Sequence, residues 1–249
     1  MKKVLCLILG LILVFSLAAC GSADNTSSTA PKKAKANVMT HEEYVAAAID
    51  STVTVETYIQ AKQSWWEGKA TFYTEAPDGA YFIYNMPCTN EEYDVLTPGT
   101  KIRVTGKKAE WSGEIEITDA EFEVLESKYI AVPKDLTTLI GSDELAEHQN
   151  EYVTFKNMTI LPKTDKDGSE AAFLYNWDGS GKEGDDLYFD ASIGGEPITF
   201  TVESYLYGPD TDLYKAVKEL EVGKAYDISG FLYWYEGANP HVTAVTPVQ

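Results

Sequence analysis

Three glycines and a tryptophan occur twice at nearly the same spacing, and this repeat constrains the fold more than any other feature of the chain. Gly99, Gly106 and Gly113 stand seven residues apart, and so do Gly223, Gly230 and Gly237. Around the first set lie Leu96, Ile102, Val104, Trp111, Ile117 and Thr118. Around the second lie Leu220, Tyr226, Ile228, Trp234, Val242 and Thr243, with the tryptophan displaced by one position and the last pair by one insertion. The copies are 124 residues apart. Solenoid repeats recur every 20 to 50 residues or so, and a separation this long reads instead as two copies of one domain.

Local patterns give each copy its elements. Thr40 followed by Glu43 is a capping box that opens a helix through Tyr44 to Ile49. Val53, Val55, Tyr58 and Ile59 make a first strand and Lys69 to Thr74 a second. Ala76, Pro77, Asp78 and Gly79 then turn the chain into a third strand, Ala80 to Asn85. A helical piece at Asn90 to Leu96 ends at Pro98 and Gly99, before strands at Lys101 to Lys107 and Glu114 to Glu126. The second copy places strands at Tyr152 to Leu161, Ala171 to Trp177 and Leu187 to Ala191, and an amphipathic helix at Thr211 to Leu220 before Gly223.

Three strands, a helix and two strands is an order that resembles the OB-fold, and the whole chain resembles the tandem OB-fold lipoproteins of bacterial surfaces. The resemblance implies mainly β structure in two five-stranded barrels, each with a helix between its third and fourth strands, and glycines at the strand bends. Insertions at Asp178 to Asp186 and Gly194 to Pro197 depart from that pattern in the second copy. Tandem immunoglobulin-like sandwiches are the alternative, and they would need about seven strands per half and no internal helix.

The first residues carry an address. Lys2 and Lys3 precede an apolar run from Val4 to Phe15, too short for a membrane span of about 20 residues. Leu17, Ala18, Ala19 and Cys20 resemble the lipobox of bacterial lipoproteins, which implies cleavage before Cys20 and a lipid on its thiol. The expected organisation is a signal peptide at 1–19, a tether at 20–37 rich in Ser, Thr, Ala and Lys, a first domain at 38–126, a linker at 127–150 and a second domain at 151–249. The expected location is the extracytoplasmic face of a bacterial membrane.

The formal net charge is -19. From Val38 onward, fifteen Lys and Arg face thirty-eight Asp and Glu, a field that repels polyphosphate, so nucleic acid is not an expected partner. Cofactors and metals are not expected either. His41, His148 and His241 lie far apart, and Cys88 stands in Met86-Pro87-Cys88-Thr89 with no second thiol. Asp165-Lys166-Asp167-Gly168 resembles part of an EF-hand loop, but Leu174 falls where its bidentate glutamate belongs, so a hairpin turn is expected there. Glu110, Glu114 and Glu116 would have to supply any hydrolytic carboxylate pair, and alternating acids usually mark a solvated face.

The aromatic residues remain. Strand alternation forbids Tyr81 and Phe82, or Tyr233 and Trp234, from both entering one core. Rings on the outer face bind a ligand or pack between domains. The binding reading makes the chain a non-enzymatic module for a neutral glycan or peptide, contacted through Trp65, Trp66, Tyr73, Tyr84 and Trp111. The alternative is an adaptor that holds another envelope protein.

Overall fold

The computed structural model describes residues 37–248; the expected signal peptide, the lipidation site at Cys20 and nearly all of the tether lie outside them. The described chain is mainly β. The capping box at Thr40 and Glu43 starts helix α1 (His41–Ala46), as its residues require. Strands β1 (Thr52–Lys62), β2 (Lys69–Ala76), β3 (Gly79–Pro87), β4 (Thr100–Trp111) and β5 (Glu114–Lys128) close a barrel in the order β1-β2-β3-β5-β4. Helix α2 (Asn90–Val95), capped by Thr89 and Glu92, sits between β3 and β4. The barrel core is built from Val53, Val55, Ile59, Phe72, Tyr81, Ile83, Ile102 and Val104 with Tyr44 of α1.

The stretch expected as a linker is ordered. It holds β6 (Lys134–Asp135) and two 3-10 turns, Thr137–Leu139 and Asp143–His148. A second sheet follows: β7 (Tyr152–Leu161), the short hairpin β8 (Lys163–Thr164) and β9 (Glu170–Ala171), then β10 (Leu174–Tyr175), β11 (Leu187–Ile193), β12 (Glu196–Val202), helix α3 (Asp212–Lys218), β13 (Ala225–Phe231) and β14 (His241–Pro247). Its order is β10-β11-β12-β14-β13-β7-β6, with a further pairing of β11 to β7, while β8 and β9 pair only with each other. The expected strand at Ala171 to Trp177 is thus corrected to two short fragments with different partners, β9 pairing with β8 and β10 with β11.

The repeated glycines occupy equivalent places. A Cβ on Gly106 would lie 2.7 Å from the Thr118 carbonyl oxygen, and one on Gly230 would lie 2.4 Å from that of His241. Both sit where the β4–β5 and β13–β14 registers shift. The crossing of paired backbones, not a left-handed turn, demands glycine at these two positions.

The two halves meet along a dry seam. β2 and β3 are buried on both faces: Phe72, Tyr81 and Ile83 point into the barrel, while Tyr73 and Phe82 point out of it and are covered by Phe231, Tyr152 and Tyr233. Tyr73 stacks on Phe231 at 4.8 Å, Phe82 meets Tyr233 edge-on at 5.3 Å, and the Tyr73 hydroxyl shares a hydrogen bond with Nδ1 of the buried His241. Burial holds that imidazole neutral, lowering it to about 3.

Backbone amides of the second half donate to two carboxyl groups of the first. Tyr152 N–H donates to Glu75 at 2.7 Å and Trp234 N–H to Glu114 at 2.9 Å. The Trp234 ring lies so close over Gly113 that a Cβ there would come within 2.8 Å of it. Burial disfavours the charged form of both acids, pushing Glu75 up to about 7 and Glu114 up to about 8.

Two outcomes are expected. Gly230→Ala should lower stability by about 1–3 kcal/mol through overpacking, against less than about 0.5 kcal/mol for Gly208→Ala, where the same methyl meets nothing nearer than 3.4 Å; urea titration checks both. In the second case, Glu114 is protonated in both states below about pH 4.5, and as the pH rises the unfolded chain loses that proton first. Wild-type stability should therefore fall from about pH 5 to about pH 8 relative to Glu114→Gln, which has nothing to ionise. A parallel pair of pH–stability curves would refute the assignment.

Candidate functional site

A groove of about 1350 Å³ opens along one margin of the seam. Its first wall is laid down by strand alternation in β3. Phe82 and Tyr84 leave the barrel on the same side, two residues apart; the seam covers Phe82, whereas Tyr84 runs on into the groove and is 45 % exposed. Trp111, the last residue of β4, projects beside them and is 54 % exposed. The second half supplies the facing wall: Tyr188 from β11, Thr199 and Thr201 from β12, the segment between β13 and β14, and Trp177 at 75 % exposure from the insertion before β11.

The β13–β14 segment is fixed to the barrel. Glu236 N–H donates to the Ser112 carbonyl at 2.8 Å and Trp234 N–H to Glu114, which sets Tyr235 against Trp111 with ring centroids 5.3 Å apart. Tyr233 stacks on His241 at 4.2 Å in the floor. Asn239 ties the segment to β12, accepting from Thr201 Oγ1 at 2.9 Å and donating to the Thr199 carbonyl at 3.1 Å. Tyr233, and Tyr235 with Trp111, are therefore set in position without a ligand, and preorganisation lowers the cost of binding.

The polar lining is acidic. Glu203, just past the end of β12, is pushed up to about 8 by burial and by the neighbouring Asp186, and its Oε2 is buried with no hydrogen-bond partner. Asp186 accepts from Ser204 N–H at 2.8 Å. Burial, with Asp186 and Glu203 nearby, raises the Tyr188 phenol to about 12. Asp143 and Glu236 also line the groove, and its one lysine, Lys163, is paired with Asp190 at 2.8 Å.

The structure separates the residues that sequence reasoning grouped. Tyr84 and Trp111 line the groove. Tyr73 is corrected: at 2 % exposure, sealed by Phe231 and His241, it is buried in the seam between the halves and is not part of an open surface. Trp65 and Trp66 sit in the β1–β2 connection outside the groove, and the Trp65 indole donates to the Cys88 carbonyl at 2.9 Å. Trp177, Tyr188, Glu203 and Tyr235 were missed as site residues. They carry no local signal, because they converge only when the halves pack.

Other expectations fall elsewhere. Cys88 is buried, and burial raises its thiol. Asp165 to Gly168 forms the β8–β9 turn, closed by Gly168 N–H to the Asp165 carbonyl at 2.9 Å. Glu114 is fully buried beneath Trp234. Among the described residues no group of three His, Cys, Asp or Glu side chains is placed to hold a metal ion, and no helix is long and apolar enough to cross a membrane.

No protein-family model and no curated protein sequence matches the chain. Among solved structures it is similar to a replication protein A heterotrimer bound to single-stranded DNA, at 10 % identity and a TM-score of 0.32, over 80 % of this chain and 49 % of that one, so that it spans about half of that chain's length. It is similar to a murine DNA binding protein bound with double-stranded DNA, at 10 % identity and a TM-score of 0.34, over 79 % and 96 %. It is also similar to the single-stranded DNA binding protein of Thermus aquaticus, at 13 % identity and a TM-score of 0.24, over 80 % and 94 %. These are DNA-binding proteins, at odds with the expected glycan or peptide ligand and with the exclusion of nucleic acid. The likeness is too distant to transfer a ligand to this chain.

Proposed function

We propose that the chain is a binding protein, not an enzyme, whose ligand lies in the groove between the halves with a flat ring stacked on the aromatic walls. One observation carries this reading. Tyr84, Trp111, Trp177 and Tyr235 come from four separate segments of both halves and converge, each with 45 to 75 % of its surface open, on one groove. Monomeric proteins rarely leave so many large rings exposed together without a use for them. The second sheet is in this reading a second OB-like barrel: β7, β11, β12, β14 and β13 pair in the same cyclic order as β1, β2, β3, β5 and β4, and the β11–β7 pairing completes the ring. The lipobox-like Leu17 to Cys20 supports a protein anchored by lipid on the outer side of a bacterial membrane.

Two experiments test the reading. Tryptophan fluorescence of residues 37–248 should shift saturably with a small aromatic solute, a nucleoside or a short single-stranded DNA. Trp111→Ala with Tyr235→Ala should weaken that binding by about thirtyfold or more, in line with about 1–3 kcal/mol for each of two stacked rings, whereas Trp66→Ala should leave it unchanged. A response that survives the double variant, or no response to any probe, overturns the groove. For the anchor, the full chain expressed in a bacterium should incorporate an alkyne-tagged fatty acid, and Cys20→Ala should abolish the label; labelling that persists in the variant would sink this assignment.

A further inference from the structure

The groove's charge is as distinctive as its rings. Four carboxyl groups reach it, from Asp143, Asp186, Glu203 and Glu236. Its single lysine is committed to Asp190 and is only 15 % exposed, and its histidine, His241, is buried and bonded to Tyr73. No positive charge of the lining is therefore left to balance those acids. Glu203 has an oxygen, Oε2, out of water with no hydrogen-bond partner, beside the carboxyl group of Asp186. The adjoining surface is aromatic, and the faces of tryptophan and tyrosine attract cations.

Resting on the groove as a binding site, we infer that its ligand is an organic ammonium ion: a protonated amine that donates to Glu203 and Asp186, with an apolar or aromatic body lying along Trp111, Tyr235 and Trp177. Each part of the site then has a role. An N–H of the ammonium supplies the donor that Glu203 Oε2 lacks, its charge separates the two carboxyl groups, and its body covers the exposed rings. An anion would find four carboxyl groups and no free cation. A neutral solute would gain the rings but leave Glu203 without a partner.

The test uses three solutes of one shape: 2-phenylethylammonium, 2-phenylethanol and phenylacetate, titrated calorimetrically into residues 37–248 at about pH 8.5, above the value of about 8 to which burial and Asp186 raise Glu203 and where the amine keeps its proton. The ammonium should bind about tenfold more tightly than the alcohol, the size of one desolvated cation–π or charge-assisted contact, and the carboxylate should not bind. Glu203→Gln should bring the ammonium down to the affinity of the alcohol without changing the alcohol. Trp177→Ala, at an exposed position with no packing role, should weaken both. Equal binding of ammonium and alcohol, with loss of both in Trp111→Ala, would overturn the cationic class and leave the groove standing. Tighter binding of phenylacetate, or of a single-stranded DNA, would overturn it as well. No binding of any solute at millimolar concentration would overturn both readings together.

Discussion

The structure depends on the burial of the β2–β3 hairpin from both sides. A five-stranded barrel needs only one face of each strand for its core, and β2 and β3 give up the other face to the second half through Tyr73 and Phe82. Burying each such ring removes well over 100 Å² from water, and three polar groups carried in with them find partners across the seam: the Tyr73 hydroxyl with His241, Glu75 with the Tyr152 amide and one oxygen of Glu114 with the Trp234 amide, while its other oxygen, Oε1, has none. The groove follows from this, because its two walls are brought together by that packing and by the hydrogen bonds that tie the β13–β14 segment to the barrel.

The pairing of acids with amides also explains why carboxyl groups sit in so apolar a place. Glu114 is buried completely, and an ionised carboxylate there would lose its hydration for one backbone donor. In its protonated form it is a neutral acceptor that fixes the β13–β14 segment, and that segment carries Tyr235. The acid held neutral at the seam thus sets the position of a ring in the groove.

Much of the first barrel was legible in the sequence because its signals are local. Capping boxes at Thr40 and Thr89, the Ala76 to Gly79 turn and period-two strands each act over a few residues. The repeated glycines were legible too, since a backbone crossing at Gly106 or Gly230 excludes every other residue. Less could be read in the second half. The segment from Leu161 to Leu187 has few apolar residues in any period and forms only two-residue strands. The site was half legible: exposed and seam aromatics look alike in sequence, so Tyr73 and Tyr84 were grouped although one is sealed and the other open. Glu203 could not be found at all, since its significance comes from Asp186, seventeen residues away, and from a cavity formed by both halves.

The duplicated tryptophans show what the seam does to a repeat. Trp111 and Trp234 stand one position out of step in the repeat, and one is open at the rim of the groove while the other is pressed onto Gly113. The copies have become complementary parts, neither of which encloses a groove alone. Occupancy and assembly are therefore one equilibrium: whatever settles between the walls is held by both halves and tightens the seam by the free energy of its own binding, and whatever loosens the seam expels it.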